Sequence, residues 1–269
     1  GGADAGLFTI NGTNGALRFK SAPNFEAPTD AGGNNVYDII VTANDGVNTT
    51  DQAVAITVTN QNDNAPVFTS GATSSTAENG PFAYAASATD ADGSTITYTI
   101  SGGADAALFS ISESTGVVSF ISVADFENPG DAGGNNVYDI IITASDGVNT
   151  ADQAVAITVT NQNDNAPVFT SGAAASVAEN QTAAYTATTT DADDGSRTYS
   201  LSGTDAALFN IDANSGVVSF KTAPDFENPS DDGGNNIYNI IVTANDGVNS
   251  SDQAVAITVT DANDEAPVF

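Results

Sequence analysis

Apolar and polar residues alternate in two recurring segments, YDIIVTA at 37–43 and AVAITVT at 53–59. Near-identical copies stand at 138–144 with 154–160, and at 238–244 with 254–260. A period of two puts successive side chains on opposite faces of an extended chain, so each segment predicts a half-buried antiparallel strand. Shorter apolar runs surround them. The stretch 65–165 holds seven such runs: 67–70, 82–88, 95–100, 108–111, 117–120, 137–144 and 154–160. Turn chemistry separates them at Asp92-Gly93, Ser101-Gly102-Gly103, Thr115-Gly116, Gly133-Gly134-Asn135-Asn136 and Asp146-Gly147. Seven short strands in about 100 residues predict a Greek-key β-sandwich. No segment of useful length carries the helical period, so the fold class is all-β.

The pattern repeats as a unit. NQNDNAPVF occurs at 60–68 and 161–169, and an edited copy, DANDEAPVF, at 261–269. Their central aspartates, Asp63, Asp164 and Asp264, follow one another at about one hundred residues, a spacing of whole domains rather than of the ~20–50-residue solenoid repeats. The proline in each copy cannot donate to a ladder, so the nonapeptide reads as a connector followed by a new strand. The expected division is 1–64, 65–165 and 166–269, sandwiches set end to end. The first is incomplete: it keeps runs at 7–10, 16–19, 36–43 and 53–59 but not the strands that open its successors. A sandwich so truncated would expose its inner face, and the parent protein is expected to continue before Gly1.

Recurring aromatics, Tyr37 with Tyr138 and Tyr238, Phe19 with Phe120 and Phe220, and Tyr98 with Tyr199, lie within strand runs and predict core packing. An exposed sugar-stacking platform is the alternative use of such residues, but the chain has no tryptophan to build one.

Charge changes the picture. Thirty-four Asp and Glu against four Lys and Arg give a formal net charge of −30. Phosphate backbones demand the opposite sign, which excludes nucleic acid as a partner, and an anionic membrane surface would repel the chain. Self-repulsion of this size opposes compaction unless cations offset it. Cys and His are absent, which removes zinc, copper and haem ligation and the Ser-His or Cys-His nucleophile pair. No apolar run is long enough to span a membrane, and no signal peptide opens the sequence.

The acids fall into ordered signatures. The middle repeat carries Glu78, Asp90-Ala91-Asp92, Asp125-Phe126-Glu127, Asp146-Gly147 and Asn163-Asp164-Asn165; the last carries Glu179, Asp191-Ala192-Asp193, Asp225-Phe226-Glu227, Asp246-Gly247 and Asn263-Asp264-Glu265. An Asp-x-Asp spacing puts two carboxylates on one side of an extended backbone, about 6–7 Å apart. Oxygen-only clusters of this kind suit a hard cation such as calcium.

On these motifs (AEN at 77–79, DADG at 90–93, DFE at 125–127, A-x-DG at 144–147 and NQNDNAPVF at 161–169) the chain resembles the cadherin repeat, in particular its bacterial cadherin-like form. The resemblance implies about three calcium ions at each complete junction between repeats. It assigns Glu78, Asp125, Glu127 and Asp164, with the Gln162 carbonyl, to an outer pair of ions. Asp193 would bridge to a third, held also by Asp191, Asp246, the Asn163 side chain and the Asn165 carbonyl. The first junction would use Glu26, Asp63, Asp90, Asp92 and Asp146 with Asn62 and Asn64. There Asn24 replaces the aspartate of DFE, which implies weaker or fewer outer ions. Glu179, Asp225, Glu227 and Asp264 would form half a site, with Glu265 in place of the usual asparagine.

Such a chain is expected to be a calcium-dependent structural and adhesion module, its ions stiffening a rod that belongs to an extracellular or cell-surface, bacterial adhesin. Its partners would be calcium and either the same protein or surface glycans and proteins. A carbohydrate-binding module is the runner-up. Two blander or sharper readings remain: a merely solvated acidic surface, and a glycosidase acid pair (Asp125/Glu127 or Asp191/Asp193), which would need about 5–9 Å separation and a cleft. Acids that recur at turns in every copy favour neither, and no enzyme activity is expected. Asn-x-Ser/Thr triplets at Asn11, Asn48, Asn180 and Asn249 arise readily in a chain so rich in Asn and Thr, although a secreted setting would permit glycosylation.

Overall fold

A computed structural model describes residues 1–193 and 195–265. Asp194 and the 266–269 end of the third connector copy lie outside the described residues. The chain separates into two compact bodies, residues 1–124 with 130–159, and residues 125–129 with 160–269.

In the second body, the four-stranded sheet runs in the order Ala174–Ala178, Ser250–Thr260, Ile237–Asn245, Thr198–Ser202. A three-stranded sheet, Ala183–Thr186, Val217–Phe220, Phe209–Ile211, forms the other layer. Between them pack Val218, Phe220, Tyr238, Ile240, Val242, Val255, Ile257 and Val259. The alternation read from sequence is realised in the long hairpin: Tyr238 faces Ile257 and Ile240 faces Val255 across an antiparallel ladder, and all four are buried. Phe209, Phe220 and Tyr238 pack together in the core, the two phenylalanines tilted with centroids 4.4 Å apart and Tyr238 edge-on to Phe220 at 5.1 Å. Every aromatic among the described residues is buried or part-buried.

The first body repeats this plan, with the sheet Thr73–Ala77, Thr150–Thr160, Val137–Ser145, Thr97–Gly102 facing Phe109–Ile111, Val117–Phe120, Tyr84–Ala85. Its leading residues contribute two hairpins, Phe8–Ile10 with Leu17–Phe19 and Val36–Asn44 with Thr49–Thr57. Their core is small: Phe8, Tyr37 and Ile39.

Three details differ from the sequence pattern. The run at 82–88 breaks into Tyr84–Ala85 and Ala88–Thr89, which pair with different strands. Leu108 ends a short 3-10 turn, Ala106–Leu108, rather than starting a strand. The polar segment Thr73–Ala77 is an edge strand; its copy Ala174–Ala178 pairs in parallel with Ser250–Thr260.

Each repeat also buries acids that main-chain N–H groups hold. Asp105 is 3% exposed and accepts the main-chain N–H of Ala132 through Oδ1 and of Asp139 through Oδ2. Asp131 accepts Asn135 N–H and Asn136 N–H at 3.0 Å each. Asp4 with Asp30, and Asp205 with Asp231, repeat the arrangement. A buried carboxylate saturated by N–H donors closes the loop before the long strand. The approach at Gly103 demands glycine: its φ is +104°, and a Cβ there would lie 2.3 Å from the Asp139 carbonyl oxygen.

Candidate metal centre

The connector Asn60-Gln61-Asn62-Asp63-Asn64 is fastened to the turn that carries Asp90 and Asp92. Asp63 N–H and Asn64 N–H both donate to Asp92 Oδ2, at 3.0 and 2.8 Å, and Asn64 Nδ2 donates to Asp92 Oδ1 at 2.9 Å. Asn60 Nδ2 donates to the Asp92 carbonyl at 2.7 Å. Asp90 folds its own turn, Oδ1 accepting Asp92 N–H and Ser94 N–H; its Oδ2 is buried with no hydrogen-bond partner. Carboxylate oxygens of Glu26, Asp63 and Asp92 lie within 4.8 Å of one another, and Glu26 Oε1 is likewise buried and without a partner. Asn24, in place of the DFE aspartate, turns its Oδ1 to Glu26 N–H at 2.9 Å.

The hairpin at 145–150 closes the pole. Asp146 Oδ1 accepts Val148 N–H and Asn149 N–H at 2.7 and 2.6 Å, and the Asp146 carbonyl accepts Asn62 Nδ2 at 3.3 Å. Burial pushes the Asp146 carboxyl up, but these donors outweigh it and hold the group below its ordinary value. Asp92 follows the same balance: burial raises it, and the N–H and side-chain donors of Asn64 with their neighbours bring it below. Both acids are therefore ionised at neutral pH.

The second body holds the equivalent pole. Oxygens of Glu127, Asp164 and Asp193 lie within 4.8 Å of one another. Asn165 donates from N to Asp193 Oδ2 at 2.7 Å and from Nδ2 to Asp193 Oδ1 at 3.0 Å, and the Asn165 side-chain bond is the largest cause lowering that carboxyl. Asp191 Oδ1 accepts Asp193 N–H, while Asp191 Oδ2 and Asp246 Oδ2 are buried without partners. Asn163 Nδ2 reaches the Asp246 carbonyl at 3.4 Å. Gln162 turns its amide to the Asn161 carbonyl.

At the far end of the second body, Glu179 is 2% exposed, its carboxylate accepting Phe226 N–H and Ala262 N–H at 2.8 Å each. Oxygens of Glu179, Asp225 and Glu227 converge within 4.8 Å, as do those of Glu227, Asp264 and Glu265. Burial, then the charges of Glu179, Asp261 and Asp264, raise the Glu227 carboxyl, the response of an acid among uncompensated acids. Glu78, the copy of Glu179 in the first body, is also buried, at 3%. Asp125 caps its own turn through Asn128 N–H.

Glu265, which the sequence marks only as a replacement for the usual asparagine, joins Glu227 and Asp264; sequence reasoning missed Asn60 and the hairpin asparagines Asn149 and Asn249. Their signal lay only in repetition, since an asparagine in a turn is ordinary. The triplets at Asn180 and Asn249 have engaged amides: Asn180 Nδ2 donates to Asp264 Oδ2 at 2.7 Å, and Asn249 Nδ2 to connector oxygens.

The donor set tests well against a hard cation. It contains only oxygen, several acids share each pole, and buried carboxylate oxygens are left with unused acceptor capacity. Sandwich repeats joined by acid-rich connectors define the class of protein. No family model matches the chain. It is 32% identical to protocadherin Fat 4 of Mus musculus over an alignment of 284 positions that covers 99% of this chain and 5% of that protein. It is 36% identical to human protocadherin-15 over 194 residues, covering 68% of this chain and 9% of the relative. Among solved structures, mouse cadherin-23 EC22-24 superposes with a TM-score of 0.71 at 23% identity, covering 97% of this chain and 84% of that one. Human protocadherin-24 EC1-2 gives 0.59 at 26% identity, covering 76% and 100%. The chain is built of tandem cadherin repeats and belongs to the cadherin repeat family. It spans about a twentieth of the length of protocadherin Fat 4.

Proposed function

We propose that the chain is a calcium-dependent structural and adhesion segment of an extracellular or cell-surface protein, bacterial in type, divided at 64/65 and 165/166. The reading is carried by one observation. Asp90 Oδ2, Asp191 Oδ2, Asp246 Oδ2 and Glu26 Oε1 are buried oxygens with no partner, in poles where other acids crowd within 4.8 Å. A buried anionic oxygen without a donor is costly, and a divalent cation at the pole supplies the missing charge.

In the first body Glu26, Asp63, Asp90, Asp92 and Asp146, with Asn62 and Asn64, would hold calcium. In the second, Glu127, Asp164, Asp191, Asp193 and Asp246 would do so with Asn163 and Asn165, and Glu179, Asp225, Glu227 and Asp264 form the terminal set. Glu78, Asp125 and the Gln162 carbonyl enter on the sequence resemblance. About three ions at a complete junction would stiffen successive sandwiches into a rod. Named relatives and structural neighbours are cadherins and protocadherins, which supports adhesion through the same protein or through other surface molecules. Extracellular calcium modules work at about 10⁻⁴–10⁻³ M, so rigidity would follow ambient calcium.

Calorimetric titration with calcium, paired with small-angle scattering with and without chelator, tests this. Binding of several ions and an increase in maximum dimension are expected. A chain that binds no calcium and scatters identically in chelator would sink the proposal.

A further inference from the structure

Asn149 stands at the meeting point of the connector and the hairpin of the following repeat. Its Nδ2 donates to Asn62 Oδ1 at 3.3 Å, to the Asn64 carbonyl at 3.0 Å and to Asp146 Oδ2 at 3.1 Å. The copy in the second body repeats the geometry: Asn249 Nδ2 donates to Asn163 Oδ1 at 3.3 Å and to the Asn165 carbonyl at 3.2 Å. Both asparagines are also pinned through their main chains, each N–H donating at 2.6 Å to the aspartate three residues earlier. The hub nitrogen therefore sits on a fixed hairpin, and its two N–H groups gather oxygens that would otherwise repel one another. Asp146 and Asp246 are each nine-tenths buried under this arrangement, whereas their copy Asp45 is exposed.

We propose that Asn149 and Asn249 are positioning residues that hold each connector on the pole of the repeat that follows it before any cation binds. The connector then belongs to the downstream repeat, and loss of cation frees only the upstream side. The oxygens that the asparagine gathers, Asn62 Oδ1 and the Asn64 carbonyl in one body and Asn163 Oδ1 and the Asn165 carbonyl in the other, are the inner ligands of the calcium reading above. The inference rests on that reading for its purpose but not for its test.

Amide hydrogen exchange on the full chain in chelator provides the test. Asp63, Asn64 and Asn165 N–H, which donate to Asp92 and Asp193, are expected to exchange slowly in the native chain. In the double variants Asn149→Ala/Asn249→Ala and Asn149→Leu/Asn249→Leu they should exchange at least tenfold faster. Amides of Ile140 and Ile240, deep in the core, should be unmoved and so report that the variants fold. Unprotected connector amides in the native chain, or protection that survives both double variants, would overturn the proposal. Added calcium separates the two ideas. If it changes no amide in the native chain, the calcium reading falls while the connector assignment stands on the chelator data.

Discussion

Asp105 Oδ2 accepts the main-chain N–H of Asp139 at 2.7 Å across thirty-four residues of sequence. Its Oδ1 takes the N–H of Ala132 at the same distance, so one buried side chain fixes both a loop and the start of the long strand. Replacing it with alanine strands two buried donors, each costing about 1–3 kcal/mol. Asp105→Ala is expected to destabilise its body by about 3 kcal/mol, read as a lower urea midpoint. A surface change such as Ser110→Ala should leave the midpoint within about 0.5 kcal/mol.

Asp131 gives the chain an acid limit. Burial pushes its carboxyl up, but the N–H groups of Asn135 and Asn136 prevail and keep it below the ordinary 3.8. A depressed folded value means stability that is present above the unfolded value and lost as pH falls through the folded one. The native chain, in chelator, should lose melting temperature as pH drops below about 4. Asp131→Asn should flatten that slope while lowering the plateau at pH 7.

Asp246 separates metal affinity from folding. Its Oδ1 already serves Val248 and Asn249, and Oδ2 has no partner. Asp246→Asn keeps the carbonyl acceptor and removes the charge. Calcium affinity at that pole should fall at least about tenfold, equivalent to about 1.4 kcal/mol. Melting in chelator should fall only modestly, because burial pushes the carboxyl up but the N–H groups of Asn249 and Val248 prevail, hold it below its ordinary value and so favour its ionised form. A variant that no longer unfolds cooperatively in chelator would make Asp246 chiefly a folding residue.

The glycines divide by what surrounds them. Gly103 and Gly147 both have positive φ, +104° and +93°. A Cβ at Gly103 would collide with the Asp139 carbonyl and with Ile140 Cα, whereas at Gly147 it meets open space. Gly103→Ala should abolish cooperative unfolding of its body, and Gly147→Ala should cost about 1 kcal/mol of strain. Equal effects on denaturation would contradict this account.

Much of this was legible in the chain itself, because the two strongest signals are periodic. Tyr138, Ile140 and Ile142 alternate with outward residues, and the same pattern copied at Tyr238 leaves little choice but a half-buried hairpin. The acidic signatures could be read because carboxylates at turns, repeated in order, have few other uses. Thr73–Ala77 escaped notice because TSSTA carries no apolar period; it is a strand by virtue of the edge it meets. Asn149 escaped because its neighbours in space, Asn62 and Asn64, are more than eighty residues away in sequence. Asp105 and Asp131 carry no mark in the sequence, which gives no hint that main-chain donors would enclose them.

The fastening of Asp63 and Asn64 to Asp92 sets where the chain can be cut. A gene fragment opened at Pro66 would encode every strand of its sandwich yet leave Asp92 stripped of the donors that surround it. Recombinant pieces, and whatever duplications built the array, keep a working pole only if each copy travels with the nonapeptide upstream of it.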